Sequence, residues 1–118
     1  MDFKIVFYKD SFGKSPIEEF FLKLASSNRL LLAKAREGIE KLRNRAYHRE
    51  PLSKYIEQGL WELRVRSNND ILRILYTFTK GQIIILLHVF IKKQQKTSKS
   101  ELEIARKRLK ELIARKDS

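Results

Sequence analysis

The chain contains no cysteine, which excludes disulfides, thiol catalysis and thiolate metal sites. Its two histidines are far apart in sequence and no carboxylate cluster accompanies either. That is a poor basis for a metal site, so neither a metal nor another cofactor is expected. No apolar run approaches the roughly 20 residues that a membrane helix needs. Nor does one follow a basic N-terminus as in a signal peptide. A single cytoplasmic domain, with no repeat, linker or membrane contact, is expected from 118 residues.

Acidic residues are scarce relative to basic ones. Fourteen Asp and Glu against 26 Lys and Arg give a formal charge of +12. The imbalance has a location. In residues 1–27, Lys4, Lys9, Lys14 and Lys23 are matched by Asp2, Asp10, Glu18 and Glu19, so the whole surplus lies from Asn28 onward. A surplus of this size favours a polyanionic partner, nucleic acid or the ribosome, through attraction to phosphate and counterion release. The plain alternative is a basic protein that merely stays soluble.

What the chain does have is one dominant apolar stretch, 82–93, rich in β-branched residues and preceded by the turn signal Lys80-Gly81. It reads as a central strand buried on both faces. Strict alternation places Leu86, His88, Phe90 and Lys92 on one face, and Ile83, Ile85, Leu87, Val89 and Ile91 on the other. The all-aliphatic face is expected to meet helices. The face with the histidine is expected to carry chemistry.

The remaining elements follow in order. Phe3 to Tyr8 alternates as a first strand. Ser15-Pro16-Ile17-Glu18 combines an N-cap, a proline at the first helical position and a capping box. Ile17, Phe20, Phe21 and Leu24 then form a core stripe. Ser26-Ser27-Asn28 breaks this helix, and Asn28 can cap a second one from Arg29 to about Arg45, with Leu32, Ala35, Ile39 and Leu42 buried. Residues 46–59, with His48, Arg49, Pro51 and Lys54, read as a loop. Leu60 to Arg66 alternates, with Trp61, Leu63 and Val65 opposing Glu62, Arg64 and Arg66. Two short turns join it to a strand at 71–78 and then to the central strand, an antiparallel meander. Ser98-Lys99-Ser100-Glu101 is a second capping box opening a final helix with Leu102, Ala105, Leu109 and Leu112. The order β-α-α-β-β-β-α defines an α+β domain, a small and mostly antiparallel twisted sheet with helices packed on one face.

If the turns keep register, Arg64, Arg66, Arg73, His88 and Lys92 gather on one side of the sheet. Such a set suits RNA cleavage by internal transesterification. A base takes the ribose 2′-OH proton, that oxygen attacks phosphorus, and an acid protonates the leaving 5′-oxygen. Cations stabilise the phosphorane charge, and histidine serves as acid or base near neutrality. The plain readings stand beside this one: His88 as a satisfied strand residue, Arg64 and Glu62 as a salt bridge, and Trp61, Tyr76 and Phe90 as core aromatics.

The segments Gly59-Leu60-Trp61-Glu62-Leu63-Arg64, Arg73-Ile74-Leu75-Tyr76, Leu86 through Thr97 and Glu101-x-x-Ile104-Ala105 resemble the RelE/ParE toxin superfamily, above all its HigB-like branch with the phage Gp49-like proteins. The resemblance spans nearly the whole chain, with Ser98 where many relatives have proline. It implies the toxin of a type II toxin–antitoxin pair, an mRNA interferase cutting message in the ribosomal A site without a metal. It also implies a HigA-like helix-turn-helix antitoxin, and contact with operator DNA only through the antitoxin complex. Lys92-Lys93 occupies the place of a basic pair ending the last strand. Arg64 or Arg66 takes that of an arginine ending the second strand, and Lys54 lies in the basic loop before it. On this basis Arg73 and Lys93 are expected to stabilise the phosphorane and His88 to act as acid or base. Lys54, Arg64, Arg66, Lys92 and Lys96 are expected to grip RNA phosphates. Two alternatives are a ParE-like gyrase poison that cuts no RNA, and a basic nucleic-acid-binding module without catalysis.

Overall fold

A computed structural model describes residues 2–92 and 98–117, with side chains as far as Arg115 in the last helix. The elements are β1 (Lys4–Phe7), α1 (Pro16–Ser27), α2 (Arg29–Lys41), a 3-10 turn (Arg45–Tyr47), β2 (Ser53–Glu57), β3 (Leu60–Ser67), β4 (Asp70–Thr79), β5 (Ile83–Lys92) and α3 (Lys99–Asp117). The five strands lie in the order β1-β5-β4-β3-β2. β1 runs parallel to β5 and every other pair is antiparallel. This is the expected α+β, RelE-like architecture, with an open mixed sheet.

Local sequence explains the helix boundaries. Ser15 Oγ accepts from the Glu18 amide at 3.2 Å, and Pro16 opens α1 without needing a donor of its own. Asn28 serves two helices. Its amide closes α1 on the Leu24 carbonyl, and its side-chain oxygen caps α2 by accepting from Leu31 N at 3.1 Å. α2 ends at Lys41, four residues earlier than the spacing suggested. Gly38 lets it lie close to the sheet, because a Cβ there would meet Val65 Cγ2 at 3.2 Å.

Three expectations need correction. Part of the stretch read as a loop, 46–59, contains a fifth strand. β2 pairs with β3 through Ser53↔Leu63, Lys54↔Glu62 and Tyr55↔Trp61, with a register shift before Glu57. Its anchor is tertiary, since the Tyr76 hydroxyl donates to the fully buried Ser53 Oγ at 2.8 Å.

The helices also do not share one face. α1 and α2 cover one side of the sheet, where Leu24, Leu31, Leu32 and Ala35 meet Leu63, Leu72, Ile74 and Leu86. α3 covers part of the other, with Ala105, Leu102 and Leu109 against Leu60, Leu75, Leu87 and Phe90.

Third, the alternation along β5 breaks. Leu75 pairs with His88 but Tyr76 pairs with Leu86, so Leu87 is an extra residue in a bulge. Ile84, Leu86 and Val89 therefore face α1 and α2, while Ile85, Leu87 and Phe90 face α3. The bulge exchanges the faces assigned to Ile85, Leu86 and Leu87, yet leaves His88 beside Phe90 and Val89 opposite them, as expected. Among the described residues no helix is long and apolar enough to cross a membrane.

Candidate nucleic-acid interface

The registers of β2 to β5 bring the predicted cations to one side of the sheet. Three cross-strand rows form: Lys54–Glu62 with Leu75–His88 beyond it, Arg64–Arg73–Phe90, and Arg66–Ile71–Lys92. Residues paired directly across antiparallel strands project to the same face. Lys54, Arg64, Arg66, Arg73, His88 and Lys92 are thus co-facial, on the side that α3 partly covers. Lys93 and Lys96 lie outside the described residues.

Depth separates these cations. Lys54 and Arg66 are exposed and Lys92 is half-buried, whereas Arg73 is only 6% exposed. Arg64 and Arg73 are directly opposite, an arrangement that like charges disfavour. Glu62, fully buried one row away, resolves it. Its Oε1 accepts from Arg73 Nη1 and from Arg64 Nε, the latter at 3.3 Å. Glu50 adds a second carboxylate 3.6 Å from Arg64 Nη1. A chain Glu50–Arg64–Glu62–Arg73 therefore crosses from rim to interior. Arg73 lies beneath the surface as a neutralised member of this chain.

His88 is held from both sides of its ring. Nε2 stands 2.9 Å from Glu101 Oε1 and Nδ1 stands 3.4 Å from Arg108 Nη1, with Phe90 stacked at 5.4 Å. An arginine can only donate. The compatible neutral tautomer thus carries its proton on Nε2, donates it to Glu101, and presents the Nδ1 lone pair toward Arg108. Arg108 is itself steered by a 2.7 Å bond to the Leu87 carbonyl, in the bulge, and lies over the Tyr8 ring at 5.2 Å.

Burial pushes the His88 pKa below its ordinary 6.5; Glu101 works against that shift and Arg108 adds to it. The imidazole is therefore neutral at neutral pH, the form a general base requires.

Glu101 and Arg108 were not singled out from sequence as site residues. The Ser98-to-Glu101 pattern predicts a capping box, and the Glu101 amide is indeed capped by Ser98 Oγ at 3.3 Å. Its carboxylate goes to His88 instead. Spacing held the signal: 101 and 108 are seven residues, about two turns, apart, so they share one side of α3 beside the Leu102-Ala105-Leu109 stripe that packs on the sheet. No group of His, Cys, Asp and Glu able to hold a metal ion occurs among the described residues.

Fold and site together define a small basic α+β protein of RelE-like architecture, whose sheet carries a cationic face with a carboxylate-held histidine. The family described as Phage derived protein Gp49-like matches residues 19–110, and the chain belongs to that family. This bears out the Gp49-like part of the resemblance. No curated protein matches the chain.

Proposed function

We propose that the chain is the toxin of a type II toxin–antitoxin system, acting in the cytoplasm as a ribosome-dependent, metal-independent mRNA endoribonuclease. The observation that carries this reading is the convergence of Lys54, Arg64, Arg66, Arg73 and Lys92 with His88 on one sheet face. Family membership supports it. In this reading Lys54, Arg64, Arg66, Lys92 and Lys96 hold the phosphates of the message. His88 Nδ1 takes the 2′-OH proton once the long contact to Arg108 gives way to substrate. Glu101 accepts the Nε2–H throughout and stabilises the imidazolium that forms. The 2′-oxygen attacks phosphorus, the bond to the 5′-oxygen breaks, and the proton is returned to that oxygen. Lys93, and Arg73 from below the surface, stabilise the extra charge of the phosphorane. A HigA-like helix-turn-helix antitoxin neutralises the toxin and alone contacts operator DNA.

Primer extension on a reporter message after induction, with and without active translation, tests the proposal. New 5′ ends are expected only on translated message, and His88→Ala is expected to remove them. Growth arrest with intact message and an induced DNA-damage response would overturn it in favour of a gyrase poison.

A further inference from the structure

A second basic surface lies around the edge of the sheet, between the end of α2, the 3-10 turn and β3. β2 begins at Ser53 opposite Leu63, so residues 64–67 of β3 run past its end. There the Leu52 carbonyl accepts from the Arg64 amide at 2.9 Å and the chain turns away. What opens is a cleft of about 690 Å³ whose lining includes Lys41, Tyr47, Arg49, Glu50, Arg64 and Arg66. That volume is within the usual range of ligand sites, about 300–1,000 Å³.

The charges in this cleft are not balanced. Glu50 is taken by Arg64, and Lys41 is 3.6 Å from Glu37. Arg49 and Arg66, both exposed, have no acidic partner among the described residues.

Tyr47 sits among these cations, 39% exposed, with the Lys41 ammonium 5.7 Å from its ring centroid. The turn that presents it is firmly built. Asn44 Oδ1 accepts from Ala46 N at 2.9 Å, and the Asn44 carbonyl accepts from Tyr47 N at 3.0 Å. The next residue, His48, is pinned inward: Nε2 lies 2.6 Å from the Leu42 carbonyl, and its ring meets Phe3 edge-on at 4.7 Å. A rigid turn thus holds an aromatic ring outward beside guanidinium groups. Single-stranded nucleic acid is bound by this combination of stacking platform and cationic groove.

We propose that this cleft binds a single-stranded RNA segment, with one base stacked on Tyr47 and the flanking phosphates on Arg49 and Arg66. The inference rests on the nuclease reading in one respect: Arg64 and Arg66 also belong to the catalytic face, so the cleft extends the path of the same message. An acidic peptide would satisfy the cations but leave the tyrosine ring without a stacking partner, which is why RNA is the better fit.

Fluorescence anisotropy of labelled hexauridylate with the full chain tests this, alongside a hexamer of abasic ribose phosphates. Tyr47→Leu is expected to weaken hexauridylate about 5- to 150-fold, the range of one lost base stack, and Tyr47→Phe to restore it. Arg49→Gln is expected to reduce the slope of log affinity against log salt by about 0.7. The abasic hexamer should bind wild type and Tyr47→Leu equally. Wild-type affinity in Tyr47→Leu overturns the proposal. So does an abasic hexamer that binds wild type as tightly as hexauridylate, the result that charge alone or a peptide site would give. Message cleavage in a translation reaction is read separately. Cleavage by wild type with unchanged hexauridylate binding in Tyr47→Leu sinks the cleft alone. Tyr47-dependent binding without cleavage supports the cleft and sinks the nuclease reading.

Discussion

Glu62→Gln isolates the electrostatic centre of the sheet face. The carboxylate is fully buried and the Arg73 side chain that it accepts from is 7% exposed. The substitution keeps volume and one acceptor but removes the negative charge between two guanidinium groups. Breaking one side of a buried pair costs about 3–5 kcal/mol, most of it from the remaining uncompensated charge. An unfolding entropy of about 2.1 cal/mol/K per residue over 118 residues amounts to roughly 250 cal/mol/K. The melting temperature should therefore fall by about 12–20 °C. Adding Arg73→Met removes the stranded cation and should recover at least half of that loss, since replacing both members of a buried pair is often nearly neutral. Differential scanning calorimetry of wild type, the two single variants and the double variant measures the coupling. A fall below about 4 °C for Glu62→Gln, or a double variant that melts as low as the summed singles, would show that Glu62 and Arg73 are not coupled as the geometry requires.

Two further outcomes are expected. Because burial depresses the folded-state pKa of His88, the unfolded chain binds the proton first on acidification. This part of the stability is present above pH 6.5 and is lost as pH falls from there through the depressed folded value. His88→Gln should therefore flatten the melting-temperature profile on the acid side of pH 6.5, and parallel profiles for the two proteins would refute the neutral, buried assignment. Gly38→Val should destabilise by about 1–3 kcal/mol, since its Cβ would already stand 3.2 Å from Val65 Cγ2. Urea denaturation checks it, and an unchanged midpoint would mean that α2 can shift outward at no cost.

Much of this protein was legible in its sequence because the signals were local. Ser15 and Asn28 set helix boundaries by accepting from amides three residues away, and Pro16 fixes the first helical position by its ring. The Trp61-Leu63-Val65 alternation sorted β3 correctly, so Arg64 and Arg66 were assigned to the right face. Two turns of few residues left little freedom in how β3, β4 and β5 pair, and the co-facial set with Arg73, His88 and Lys92 followed from that.

The remaining features depended on partners distant in sequence. β2 is held by a hydroxyl pair between Ser53 and Tyr76 and by the edge of β3, so its own residues did not mark it as a strand. The bulge at Leu87 exists only as a mismatch between two strands, and it changed the face of every β5 residue on one side of it. α3 took the opposite face of the sheet because the bulge and Leu75 expose an apolar surface there for Ala105 and Leu102. Burial then decided what composition could not: a charge of +12 does not tell which arginine faces water. Arg73 was drawn under the surface by Glu62, Arg66 was left outside, and the Glu101 carboxylate reached His88 because the fold brought a helix start against a strand thirteen residues earlier in the chain.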